Sequence, residues 1–89
     1  MTIDSSLQAQ FAAAQARAKT AAHRPDNDTL LQLYAYYKQA TAGDAGDDRP
    51  GAFDFVGRAK FDAWAKLKGA TPEEAMRGYI FVVAGMDLD

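Results

Sequence analysis

Residues 71–76, Thr71-Pro72-Glu73-Glu74-Ala75-Met76, read as the first turn of a helix. The threonine hydroxyl can accept a bond from a first-turn amide, and Glu74, three residues on, can return one to the threonine amide. Proline at the first helical position gives up only a donor that would have no partner inside the helix. Downstream, Ala75, Met76, Tyr79, Ile80 and Val83 recur at helical intervals until Gly85, so this fourth helix buries one face.

The same logic carries backwards along the chain. A third helix is predicted from about Arg58 to Lys68, with Ala59, Ala63, Trp64 and Leu67 in register and Gly69 as its stop. Between Gly43 and Gly57 the periodicity is lost, and Gly46, Pro50 and Gly51 are interspersed with Asp44, Asp47, Asp48 and Asp54. A connection of that length is usually specialised. Arg49-Pro50-Gly51 is its turn signal, and Phe53 and Phe55 are expected to tuck beneath it as anchors. A second helix, about Asp28 to Ala42, carries Leu30, Leu33, Tyr34, Tyr37 and Thr41 along one side; Asp26, Asn27 and Asp28 offer caps and Gly43 the stop. The first helix is predicted from about Ser5 to Ala22, with Ser5 and Gln8 spaced as a capping box and Leu7, Phe11, Ala14 and Ala18 recurring. It ends at His23-Arg24-Pro25, since proline disfavours helical geometry in the residue before it. With no strand pattern and no repeat, residues 1–89 are expected to form one all-α domain, a four-helix bundle with a long loop between its second and third helices.

Composition narrows the function. A chain of 89 residues, 48% hydrophobic and 25% charged, has the balance of a single soluble globular domain. Cysteine is absent, so disulfides, thiolate metal sites and thiol nucleophiles are excluded. The N-terminal stretch has no basic start and no continuous apolar run, and nowhere do about 20 apolar residues follow one another, so neither a secretory leader nor a membrane span is read. A cytoplasmic location is expected. The net charge of −2 argues against nucleic acid as a partner. A small anion remains possible, because Lys19, Arg24, Lys38, Arg58 and Lys60 lie on helical patterns while aspartates crowd the loop. The one histidine, His23, cannot make a metal site, the loop aspartates lack calcium-loop spacing, and no nucleophile has a base and an orienting group. No metal, no cofactor and no catalysis are therefore expected.

Tyr34, Tyr37 and Lys38 stand out, because residues three and four apart share a helix face and this places two phenols beside one ammonium. Such a group can stack a purine and hold a phosphate. The same spacing also suits core tyrosines with wet hydroxyls beside a solvated lysine, and spacing alone leaves both readings open. Lys60 and Tyr79 are by themselves ordinary surface and core positions.

Two blocks at fixed separation resemble the acyl-CoA-binding protein family: Tyr34-Ala35-Tyr36-Tyr37-Lys38-Gln39-Ala40-Thr41-Ala42-Gly43-Asp44, and the run from Arg49-Pro50-Gly51 through Asp54-Phe55, Arg58-Ala59-Lys60 and Phe61-Asp62-Ala63-Trp64. Lys68-Gly69, Glu74-Ala75-Met76 and Tyr79-Ile80 extend the likeness over nearly the whole chain. The resemblance implies four helices with a bent CoA in a cleft and its fatty chain in a groove. It places Tyr34, Lys38 and Lys60 at the ribose 3′-phosphate region, Tyr37 against adenine, Tyr79 near the ligand and Lys19 toward the adenine end. It places Phe11, Ala14, Leu30, Leu31 and Ala59 near the acyl tunnel. Val56 departs from a lysine found in many members, and Phe61 from the usual tryptophan. What this implies is a monomeric carrier of medium- to long-chain fatty acyl-CoA that serves acyl-CoA-using enzymes. An accessory substrate-presenting domain or subunit of such an enzyme, and a helical protein-interaction module, are the alternatives.

Overall fold

Four α-helices make up the regular structure of residues 5–86, the part of the chain that the computed structural model describes: α1 Ser5–Lys19, α2 Asn27–Ala42, α3 Phe55–Ala65 and α4 Pro72–Ala84. α4 begins as its sequence predicts. The Glu74 amide donates to Thr71 Oγ1 at 3.1 Å, the Thr71 amide donates to Glu74 Oε1 at 2.9 Å, and Pro72 opens the helix. α4 packs against both α1 and α2, and α3 packs against α2. The core joins Leu7, Phe11 and Ala14 of α1 to Leu33 of α2 and to Met76, Tyr79 and Val83 of α4. Each large apolar side chain among them gains about 1.5–3 kcal/mol on leaving water. Between α2 and α4, Gly78 leaves room for the Tyr36 ring, which a Cβ at that position would overlap.

Helix ends depart from expectation where capping chemistry overrides apolar spacing. α1 stops at Lys19, short of Ala22, because the Thr20 amide and hydroxyl both bond to the Arg17 carbonyl, at 3.1 and 3.0 Å. Ser5 is already helical and is not the cap; in that first turn Ser6 Oγ accepts from Gln10 Nε2 at 3.3 Å. Asp26 caps α2 by accepting from the Thr29 amide at 2.7 Å, so that helix starts at Asn27. α3 starts at Phe55, three residues before Arg58, because the Asp54 carboxylate accepts from the Gly57 amide at 2.9 Å. Gly57 suits the turn, since a Cβ would run into that carboxylate. After Ala65 the chain turns through residues 66–69, closing on Gly69 at φ 93°.

Phe53 and Phe55 do not anchor the loop: they are 93% and 76% exposed. Polar contacts hold it instead. Arg49 grips Asp62 of α3 through two bonds of 2.9 and 2.7 Å, and Trp64 Nε1 donates to the Gly43 carbonyl at 2.8 Å. Gln39, 1% exposed, donates from Nε2 to Asp44 Oδ1 at 2.8 Å and to the Ala70 carbonyl at 2.9 Å. Asp44 Oδ1 also accepts from the Gly69 amide at 2.9 Å, so one carboxylate ties the end of α2 to the α3–α4 turn. These bonds hold the Asp44 carboxyl below the usual carboxylate range.

Candidate ligand cleft along the second helix

α2 turns its buried residues, among them Leu33 and Ala35, to the core, and this leaves Tyr34, Tyr37 and Lys38 on a flank that neighbouring helices only partly cover. Tyr34 and Lys38 are half-buried, and Tyr37 is 42% exposed. Across the seam with α3, Lys60 Nζ lies 5.4 Å from the Tyr34 ring centre, and Lys38 Nζ lies 4.9 Å from that of Trp64. Both ammonium groups rest on aromatic faces while the lysine heads stay within reach of an incoming anion.

From Tyr37, three rings run from α2 through α1 to α4. Phe11 stands 6.3 Å from Tyr37 and meets Tyr79 edge-on at 5.2 Å. Burial, together with the nearby Tyr37 phenol, pushes the Tyr79 hydroxyl above its ordinary pKa, so it remains a neutral donor at any physiological pH.

Beside the cation-bearing end, α2 and α3 enclose an apolar groove of about 360 Å³. Leu30 and Leu31 form its α2 wall, and Phe55, Val56, Ala59 and Lys60 its α3 wall; Arg24 and Asn27 close one rim. The α3 positions follow from its true start, since residues 55, 56, 59 and 60 share a face one turn apart.

Of the residues singled out from the sequence, Leu30, Leu31, Ala59 and Lys60 come together in this groove, and Tyr34 joins them through Lys60. Phe11 and Ala14 lie in the core, where Phe11 supports Tyr37 from beneath. Lys19 is exposed at the last residue of α1. Arg24, Asn27, Phe55 and Val56 were not singled out as site residues; an Asp54 cap, had it been read, would have brought Phe55 and Val56 into the α3 register. Among the described residues no group of three or more metal-ligating side chains occurs. What the arrangement can hold is an amphipathic anion: cations and stacking rings at one end, an apolar slot at the other.

The family profile described as Acyl CoA binding protein matches residues 8–83. The chain is 46% identical over 77 residues to an acyl-CoA-binding protein homolog of Drosophila melanogaster, covering 86% of this chain and 90% of that one. It is 48% identical over 60 residues to an acyl-CoA-binding protein of Saccharomyces cerevisiae, covering 67% and 69%. In three dimensions it is similar to the crystal structure of Oryza sativa Acyl-CoA-Binding Protein 2, with a TM-score of 0.82 at 42% identity over 88% of this chain and 87% of that one. The profile match, the sequence identity over most of the chain and the shared fold agree, and the chain belongs to the acyl-CoA-binding protein family.

Proposed function

We propose that this chain binds medium- to long-chain fatty acyl-CoA thioesters as a monomeric cytoplasmic carrier, without catalysing a reaction on them, and hands them to enzymes that use acyl-CoA. The observation that carries this reading is Lys60, which lines the apolar groove and also stands over Tyr34 at the cation-bearing end. A ligand with an anionic head and an apolar tail meets both halves of one site at that residue. Lys38 and Lys60 donate to the ribose 3′-phosphate region together with the Tyr34 hydroxyl. The Tyr37 ring lies on adenine, Tyr79 lies near the ligand, and Lys19 approaches the adenine end. Leu30, Leu31 and Ala59 enclose the chain.

Enclosing about eight methylenes at ~0.8 kcal/mol each, with two or three charge-assisted bonds of ~1.5–3 kcal/mol, exceeds 10 kcal/mol before the cost of association is subtracted. Tight binding is therefore attainable with the few cations at hand. Titration calorimetry with CoA, a free fatty acid and acyl-CoAs of increasing length is the test, run below the concentrations at which the thioesters form micelles. Affinity should be weak for either half alone and climb with chain length until the groove is full. Equal affinity for CoA and long-chain acyl-CoA would show that the groove takes no part.

A further inference from the structure

A second space between α2 and α3, also of about 360 Å³, has Leu31, Ala35, Ala63 and Leu67 as its apolar walls, with Tyr36 beside them and Asp28, Gln32 and Lys66 exposed on its rim. Leu31 also lines the apolar groove, and among the described residues it is the one that the two spaces have in common. On α3 the wall passes from Ala59 in the groove to Ala63 in the second space, one turn further on, and neither position carries more than a methyl group. We infer that the Leu31 side chain is the partition between the two spaces and sets the longest acyl chain that this protein encloses: the chain ends against Leu31, which alone keeps it out of the second space.

Three features single out this residue. Leu30 lines the groove but not the second space, so shortening it would widen the one without joining it to the other. Leu31 is only partly covered and stands outside the core cluster to which Leu33 belongs, so its size can be set by a ligand more than by packing between helices. The second space, finally, suits the end of a hydrocarbon chain. Its walls are largely aliphatic, and its charged groups, Asp28 and Lys66, are exposed, so methylenes entering it would leave water without burying a charge.

The proposal rests on the acyl-CoA reading of the groove, and affinity measured against chain length tells the two failures apart. Calorimetry with a series of saturated acyl-CoAs, below their micelle concentrations, is run on the wild-type protein, on Leu31→Ala, on Ala63→Leu and on the double variant. Wild-type affinity should rise by about fourfold per enclosed methylene and then level off. Leu31→Ala should gain nothing for chains shorter than that limit and go on rising beyond it, so that a chain about two methylenes past the limit binds roughly fifteenfold better than one at it. Ala63→Leu should change nothing at any length when alone, and in the double variant should bring the plateau back. A Leu31→Ala plateau at the wild-type length, with the rise before it intact, would overturn the partition and leave the groove standing. Weaker binding of long chains by Ala63→Leu alone would also overturn it, since the chain would then already pass Leu31. Affinity that does not rise with chain length in the wild type would remove the acyl reading of the groove, and the partition with it.

Discussion

Lys60 Nζ stands 5.4 Å from the centre of the Tyr34 ring, so a residue of α3 reaches across to the aromatic flank of α2 while its own stem lines the groove. The pair bridges the seam between the two helices, as Lys38 over Trp64 also does. Because Lys60 is exposed, its stacking on Tyr34 is weak, about 0.5–1 kcal/mol, and a phosphate can draw the ammonium away at small cost.

Lys60→Ala is therefore expected to weaken acyl-CoA binding by about 1.5–3 kcal/mol, the worth of one charged hydrogen bond, with little change in thermal stability. Calorimetry on the variant decides it. Wild-type affinity would take Lys60 out of the head-group contact.

Trp64 is the chain's one tryptophan, and the Lys38 ammonium lies 4.9 Å from its ring while its Nε1 is held by the Gly43 carbonyl. If Lys38 swings to a ligand phosphate, the indole loses a cation from its face without moving itself. Ligand should then change Trp64 emission in the wild-type protein, and Lys38→Ala should reduce that change and weaken binding by about 1.5–3 kcal/mol. An emission change of full size in Lys38→Ala would assign it to something other than the lysine.

Gly78→Ala should destabilise the fold by about 1–3 kcal/mol, although alanine is the better helix former by about 1 kcal/mol. The added Cβ overlaps the Tyr36 ring, so α2 and α4 must move apart or the ring must leave its place. Thermal melts of Gly78→Ala and of Gly78→Ala with Tyr36→Ala test the cause. The second substitution should make the glycine change less costly, and additive losses would mean that the two residues do not meet.

Acid should unfold the protein through a small set of carboxylates. Asp26, Asp44, Asp62 and Glu74 are each held below their ordinary values, the first by the Thr29 amide, the second by the Gly69 amide and Gln39, the third by Arg49, the fourth by the Thr71 amide. A folded pKa below the unfolded one means that the unfolded chain binds more protons. The stabilisation is then complete above the unfolded values and is lost as pH falls through the folded ones. Denaturation midpoints should be level from about pH 7 to 5 and decline from about pH 4.5 downward. Asp44→Asn should lower the neutral-pH midpoint and flatten the acid decline. A midpoint that does not fall between pH 5 and 3 would contradict these assignments.

Local chemistry was legible in the sequence and long-range packing was less so. Thr71 and Glu74 announce α4 because their bonds close within one turn. Asp54 does the same for α3, but Gly57, three residues on, reads as loop punctuation and hides the cap. Phe53 and Phe55 look like anchors because aromatic rings are usually buried; whether a loop ring finds a pocket depends on what faces it, and here Arg49, Trp64 and Gln39 already hold the segment. Gln39 was invisible as a core residue, since only the fold brings Asp44 and the Ala70 carbonyl to its amide. In the site, helical spacing pointed to Tyr34, Tyr37 and Lys38. Lys60, Ala59, Leu30 and Leu31 have ordinary helical positions, and their role as site residues came only from the family resemblance; the groove they share exists only once α3 lies on α2.

Ala59 offers the most direct test of the groove itself. It is exposed, its side chain is a single methyl, and it forms part of the α3 wall across from Leu30 and Leu31. Ala59→Trp would place a large ring in a space of about 360 Å³ that is open in the wild-type chain. The helix should tolerate the change, since an exposed position loses only about 0.7 kcal/mol of propensity or less. Lys38, Tyr34 and Tyr37 are untouched, so affinity for free CoA should stay as it is. Affinity for long-chain acyl-CoA should fall toward that of CoA, because the increment of about 0.8 kcal/mol per enclosed methylene has nowhere to arise. The diagnostic quantity is the slope of binding free energy against chain length, measured for both proteins under the same conditions. A slope unchanged by the tryptophan would move the acyl chain out of the α2–α3 groove; a uniform loss at every length, CoA included, would mean that the ring had disturbed the head-group end instead.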